Sequence, residues 1–453
     1  MRKLFVLLLF FVVTLHIPAY GFVPLSAPSA ILTDGTSGRT LFSLNEHARM
    51  YPAGLTKMLT AIVALEYLNP EDIVVVGPEI HTVPQGAIMS GHQVGEHITV
   101  HNLLRGLMIR NGNDSGAVVA LQTVQAQRNR QNIPYDAAEQ EFVRMMNVRA
   151  RELGALNTNF VNPNGIHHDN HYTTAYDLAI IARAFMAHPL LSEIAAETEF
   201  RGNSLGDLYI EGARTVNHNW VDTNELISGN TFHYPYAVGI RSGSTPQSLD
   251  SLAAAARRRD VNLIAIVLSS PDPGRWQDAR ILFDYGFSTY DYFHMLEEGQ
   301  LMETVRVTNA KLGEVDVIDV MATESFYRLM SQTQIARLER HLIFNNEFYD
   351  EEGNVDYSLL FAPIEMGDVV GSVIFSLDGE VIFESDVIAS GSVMERTLDS
   401  DMDFYIALIQ ENIFTVRALP FWMGSAGILI GTLGVSFAVV ERRRSKRSWY
   451  GRR

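Results

Sequence analysis

The apolar pattern of the chain predicts an α+β protein: a mixed sheet with a helical insertion, then a small β-rich domain, then a transmembrane helix. Three observations carry this. Strand signals at 30–42 return only after residue 237, and between them apolar residues recur every three or four positions. From Thr304 to Thr397 that period gives way to short alternating runs broken by Gly313, Gly353, Gly367 and Asp378-Gly379, the mark of strands and tight turns. The uncharged stretch Ala418–Val440 is long enough, at about 1.5 Å per residue, to cross a hydrocarbon core of about 30 Å.

Each element follows from its residues. Arg2 and Lys3, the apolar run Leu4–Leu15 and the small-x-small exit Ala19-Tyr20-Gly21 predict a signal peptide over 1–21, and therefore export. Ile31, Leu32, Leu41 and Phe42 flank Asp34-Gly35-Thr36-Ser37-Gly38, which reads as two strands around a turn. Over Leu55–Leu68, residues Leu55, Met58, Leu59, Ile62, Val63 and Leu65 line a helical face, and Asn69-Pro70 closes it. Further helices are expected at Val100–Ile109, Ser115–Gln127, Tyr135–Leu153 and Thr174–Ala187. Strands are expected at Ala237–Ile240, Leu249–Ala255 and Leu263–Ser269, the last apolar enough for the middle of a sheet.

A composition change near Tyr292 divides the exported body into 22–291 and 292–397. Residues 398–417 read as an amphipathic connector, with Phe404, Leu408 and Ile409 on one side and Asp403, Gln410 and Glu411 elsewhere. After the span at 418–440, the tail 441–453 holds seven basic residues and one acid, which places it in the cytoplasm. The expectation is a single-pass protein of the cell membrane with its ectodomain outside.

The 453 residues include 35 Lys and Arg against 52 Asp and Glu, a formal charge of −17. Setting aside the basic tail and the two basic residues of the leader leaves −25 on the exported body. A surface this acidic argues against nucleic acid as a partner, since such binding neutralises phosphates. There is no cysteine, which excludes disulfides, thiolate metal sites and a cysteine nucleophile. His167, His168 and His171 around Asp169 match no common zinc spacing, so neither a metal nor a cofactor is expected.

Three motifs come in order: Tyr51-Pro-Ala-Gly-Leu-Thr-Lys57, Arg110-Asn-Gly-Asn113-Asp, and Gly239-Ile-Arg241-Ser-Gly243-Ser-Thr-Pro. Their order and context resemble the D-alanyl-D-alanine carboxypeptidases, the low-molecular-mass penicillin-binding proteins, over about Ser29 to Val393. Phe160-Val-Asn-Pro-Asn-Gly165, His171-Tyr-Thr-Thr-Ala-Tyr-Asp177 and Leu360-Phe-Ala-Pro-Ile-Glu-Met-Gly367 look like that family's connecting segments. The resemblance implies a β-lactamase-like (transpeptidase-like) fold. It also implies hydrolysis of the terminal D-Ala of peptidoglycan stem peptides by a serine in Ser-x-x-Lys, aided by Ser-x-Asn and Lys-Thr-Gly.

In Ser-x-x-Lys the residues three apart share a helix face, so the amine reaches the hydroxyl and takes its proton. Here Gly54 stands at the serine position, and no acyl-enzyme can form on glycine. Thr56 lies about 200° further round a helix and points away. Lys57 keeps the general-base position. Asn111 replaces the second-motif serine, and an amide does not shuttle protons, whereas Asn113 keeps its place to donate to a substrate carbonyl. Arg241, Ser242 and Gly243 stand for Lys-Thr-Gly, and a guanidinium can hold a terminal carboxylate through two bonds.

The groups that make and break bonds are altered, and those that bind persist. Loss of the nucleophile costs about 10⁶ in turnover where serine hydrolases have been dissected. The expected function is a catalytically silent homologue that binds D-Ala-D-Ala stem peptides or cell-wall proteins. The alternative is an active carboxypeptidase with an atypical mechanism, in which Lys57 activates a water beside Gly54.

Overall fold

The computed structural model describes residues 23–228, 231–345 and 360–413. They form two compact units. The first holds the residues up to Tyr292 together with Leu329–Gln332; the second holds Phe293–Arg328 and the chain from Thr333.

The first unit opens with the hairpin β1 (Ser29–Asp34) and β2 (Thr40–Leu44), in which Leu32 faces Phe42. A 3₁₀ turn, Ala53–Thr56, leads into α1 (Lys57–Leu65). Then come β3 (Ile73–Val75), β4 (His97–Thr99), α2 (Val100–Met108), α3 (Asn113–Arg128), α4 (Tyr135–Leu153), α5 (Ala175–Ala187) and α6 (Pro189–Ala196). The strands β5 (Glu199–Asn203) and β6 (Asn217–Val221) pair as a ribbon. The chain then returns as β7 (Ala237–Thr245), β8 (Leu249–Arg258) and β9 (Val261–Ser270), and closes with α7 (Gly274–Thr289).

The sheet order is β2-β1-β9-β8-β7, and every pairing in it is antiparallel. This corrects the expected mixed sheet. The reason is local: β7, β8 and β9 are joined by the short turns Pro246–Ser248 and Arg259-Asp260, and turns this short permit only antiparallel neighbours. The helical insertion between β2 and β7 is as expected.

The pleat sends alternate residues of each strand to opposite faces. Ile31, Ile264 and Ile266 pack with Leu59, Leu107, Val118 and Phe185 of the insertion. Leu32, Leu263, Ala265 and Val267 pack with Trp276, Leu282 and Phe283 of α7. No helix was expected at 274–289. Its signal is faint because Gly274, Gly286 and polar residues interrupt the buried set Trp276, Ala279, Leu282 and Phe283. Two threonines set helix starts: Thr99 Oγ1 accepts from the Asn102 amide, and Thr174 Oγ1 from the Asp177 amide. Helix α3 begins at Asn113, two residues ahead of the sequence expectation.

β10 (Tyr290–Leu296) straddles the division between the units. Next come β11 (Leu301–Thr308), β12 (Val317–Ala322), β13 (Phe326–Ser331), α8 (Gln332–Ile335), β14 (Leu338–Phe344), β15 (Leu360–Phe361), β16 (Val369–Leu377) and β17 (Glu380–Ala389). A six-stranded sheet runs β14-β16-β17-β12-β11-β15, around a core that includes Val305, Val320, Val373 and Val387. This is the expected β-rich domain, followed by helix α9 (Leu398–Ile413). Among the described residues no single helix is long and apolar enough to cross a membrane. The expected signal peptide at 1–21, the span at 418–440, the tail at 441–453 and the last connector residues 414–417 lie outside the described residues.

Candidate functional site

The three motifs meet. Gly54 lies in the buried 3₁₀ turn ahead of α1, and a Cβ placed on it would stand 3.0 Å from Asn111 Oδ1 and 3.4 Å from Gly243 Cα. The amide of Asn111 therefore reaches to within contact of the place a serine side chain would begin. Ala53 and Asn111 both adopt left-handed backbone, with φ +47° and +64°. For non-glycine residues this costs on the order of 1 kcal/mol each, and such strain gathers at functional sites. Strand β7 runs so close that a Cβ on Gly243 would lie 2.6 Å from the Gly54 amide nitrogen, so only glycine fits there.

Lys57, on the next turn, is buried to 1 % exposure. Its Nζ donates to Asn113 Oδ1 at 2.9 Å and to the Asn164 carbonyl at 2.7 Å. One partner comes from the second motif and the other, the Asn164 carbonyl, arrives on the Phe160–Gly165 segment. Burial and the nearby Arg241 guanidinium hold the Lys57 amine well below its ordinary range, with Asp114 opposing them. A pKa lowered by burial is how a lysine comes to serve as a general base.

Asn113 is the first residue of α3, and its Nδ2 donates to the Ile88 carbonyl at 2.9 Å. Arg241, on β7, is fully buried. It donates to the Met108 carbonyl, while its Nε and second terminal nitrogen have no hydrogen-bond partner among the described residues. The same is true of Asn111 Oδ1. Burial lowers the Arg241 pKa, and Asp222 opposes that shift; burial raises Asp222, and Arg241 restrains it. Ser242 is turned to Thr223, Oγ to Oγ1 at 3.4 Å, rather than to the Gly54–Lys57 group.

Thr56 does point away, as expected, although the turn is 3₁₀ rather than α. Its hydroxyl donates to the Ala53 carbonyl and accepts from His171 Nε2 at 2.9 Å. His171 Nδ1 in turn accepts from the Val161 amide, and burial drives the ring pKa down to about 3, so the ring is neutral. His167 and Asp169 make a looser pair at 3.6 Å.

Three residues that sequence reasoning passed over complete the site: Asn164, Asp114 and Asp222. Asp114 is fully buried and accepts the amides of Ser90, Gly91 and His92 at 2.7, 2.9 and 3.1 Å. Its position beside Asn113, in the first turn of a helix, is the signal that was available.

Comparison with known proteins points to one family. The signature of the D-alanyl-D-alanine carboxypeptidase family matches residues 18–272, and that of the penicillin-binding protein 5 C-terminal domain matches 290–395. The chain is 28% identical over 371 residues to the D-alanyl-D-alanine carboxypeptidase DacF of Bacillus subtilis, covering 80% of this chain and 85% of that protein. It is 27% identical over 427 residues to DacA of Haemophilus influenzae, covering 91% and 97%. Among solved structures, penicillin binding protein 5 from Haemophilus influenzae superimposes with a TM-score of 0.57 over 82% of this chain and 98% of that one, and at 24% identity it speaks for the fold alone. The Streptomyces K15 DD-transpeptidase superimposes with a TM-score of 0.53 at 27% identity, over 58% of this chain and 98% of that one. A transpeptidase-like domain carrying three altered motifs in the family's order, with the β-rich domain behind it, thus belongs to the D-alanyl-D-alanine carboxypeptidase family.

Proposed function

We propose that this chain binds the D-alanyl-D-alanine end of peptidoglycan stem peptides, or a cell-wall protein, without cleaving it. The observation that carries the proposal is the contact at Gly54. The nucleophile position faces the second and third motifs but bears no side chain, and the Asn111 amide stands against it. A base is present in Lys57, yet the hydroxyl it would activate is absent, and Thr56 is committed elsewhere.

Retained groups support binding. Two unpartnered guanidinium nitrogens of Arg241 match a carboxylate, and the unpartnered Asn111 Oδ1 matches a ligand N–H. Export by residues 1–21 and anchoring by 418–440, with the tail inside the cell, belong to the same reading and rest on the sequence.

The test is direct. Incubated with a fluorescent penicillin and with a stem-peptide mimic, the protein should show neither covalent labelling nor D-Ala release; either result would overturn the silent reading and favour an atypical carboxypeptidase. In calorimetry a D-Ala-D-Ala peptide should bind non-covalently, and Arg241→Ala should weaken it roughly tenfold or more. Absence of binding, or identical binding by the variant, sinks the recognition part.

A further inference from the structure

Behind the first turn of α3, three side chains from two distant parts of the chain meet in the interior. His92 and Glu96 precede β4, and His218 lies on β6. His92 Nδ1 stands 3.4 Å from Glu96 Oε2, and His218 Nε2 stands 2.6 Å from Glu96 Oε1. One ligand atom from each lies within 4.8 Å of the others, and their side chains are 0 %, 0 % and 3 % exposed. Trp220 covers them, stacked on His218 at 4.4 Å and edge-on to His92 at 5.9 Å.

We propose that His92, Glu96 and His218 form a binding site for a divalent transition metal, Zn²⁺ foremost, ligated by His92 Nδ1, His218 Nε2 and the Glu96 carboxylate. Two imidazoles and a carboxylate are a donor set that suits zinc. With metal–ligand bonds of about 2.0–2.2 Å, tetrahedral donors lie about 3.3 Å apart, close to the His92–Glu96 separation; His218 Nε2 donates to Glu96 Oε1 at 2.6 Å, so a metal there displaces that proton and widens the pair.

The hydrogen-bond network selects the ligating atom. The Gly106 carbonyl can only accept, so the Ser90 hydroxyl at 2.9 Å must donate to it. Ser90 Oγ then accepts from the Ser115 hydroxyl at 2.8 Å, and Ser115 Oγ accepts from His92 Nε2 at 2.9 Å. This chain puts a proton on Nε2. In the neutral ring, Nδ1 is left as a bare lone pair, buried, without a hydrogen-bond partner among the described residues, and facing a carboxylate. That juxtaposition is repulsive, and a cation between the two groups, either a second ring proton or a metal ion, reverses its sign. The outer contacts are those of metal ligands, which are held by their other atoms: Ser115 holds His92, and the Gln93 amide donates to Glu96 Oε2 at 2.9 Å.

The site sits where it would brace the neighbourhood of Asn113. The amides of Ser90, Gly91 and His92 all point to Asp114, and Trp220 Nε1 donates to the Ser90 carbonyl at 2.8 Å. A metal would tie β6 to this loop and stiffen the wall of the second motif. The role is structural and does not depend on whether the chain binds or cleaves stem peptides.

The experiment uses the untagged full chain stripped with EDTA. Zn²⁺ calorimetry should give about one equivalent bound with micromolar or tighter affinity, Co²⁺ should give visible bands of a four-coordinate site, and Zn²⁺ but not Mg²⁺ should raise the melting temperature. His92→Gln and His218→Gln should abolish the bands, and Glu96→Gln should weaken Zn²⁺ roughly tenfold or more. His167→Ala with His168→Ala should leave binding unchanged. No uptake by the wild-type chain overturns the proposal and leaves a His92–Glu96 ion pair; so does wild-type binding by His218→Gln. Should a variant fail to fold, as judged by circular dichroism, the wild-type Co²⁺ spectrum and stoichiometry still decide.

Discussion

Gly54 removes an oxygen from the site, and Asn111 stands against the place where that oxygen's carbon would be attached. A serine there is tight, with its Cβ 3.0 Å from the Asn111 oxygen, so the amide must yield by a few tenths of an ångström. Gly54→Ser alone should therefore label poorly with fluorescent penicillin, whereas Gly54→Ser with Asn111→Ser should label at least about 100-fold faster, the range of a restored proton carrier. Equal labelling by the single and double variants would show that the second motif matters little.

Lys57 gives a pH signature of its own. Its folded pKa lies below its ordinary value of 10.5, so between the two the unfolded chain holds the extra proton. Stability then rises with pH through that window and falls as the pH drops toward the folded pKa. Lys57→Met should flatten this rise, by at most about 1.4 kcal/mol per pH unit, in urea unfolding followed from about pH 7 to about pH 10.

Helix α3 starts with two residues that divide the work between them: Asn113 turns to Lys57, and Asp114 gathers three amides of the preceding loop. Removing that carboxylate leaves buried donors unpaired. Asp114→Ala should cost about 3 kcal/mol in chemical denaturation, well beyond the effect of trimming an exposed acid. A loss under about 1 kcal/mol would mean that the loop finds other acceptors. Elements with a clear period, such as α4 and α5, were legible in the sequence to within a residue or two. The helix α7 was not, because its buried face includes glycines: a Cβ on Gly286 would lie 2.6 Å from Leu263, so close packing removed the very side chain that would have signalled it.

In the molecule as a whole, chain order and packing part company at Leu329. It lies in the sequence of the β-rich domain but is 1 % exposed within the core of the first unit, among Leu226, Tyr234 and Trp276. Leu329→Ala should destabilise the first unit by about 2–4 kcal/mol, read from the unfolding of the buried Trp220 and Trp276 by fluorescence. A fragment ending at Tyr292 should be weakened in the same direction. Unchanged unfolding in both would show that this strand is not part of that core.

Family, motif order and the chemical loss at Gly54 were all readable in the chain, because each resides in a few consecutive residues whose types carry their chemistry. So was the α+β plan, since period alone separates helix from strand. The pairing of β1 with β9 across the insertion, the Asn164 carbonyl on Lys57 and the meeting of Glu96 with His218 came from folding. Those last two pairs lie 107 and 122 positions apart. Contacts at such separation leave no local pattern, because packing of the whole insertion brings them together.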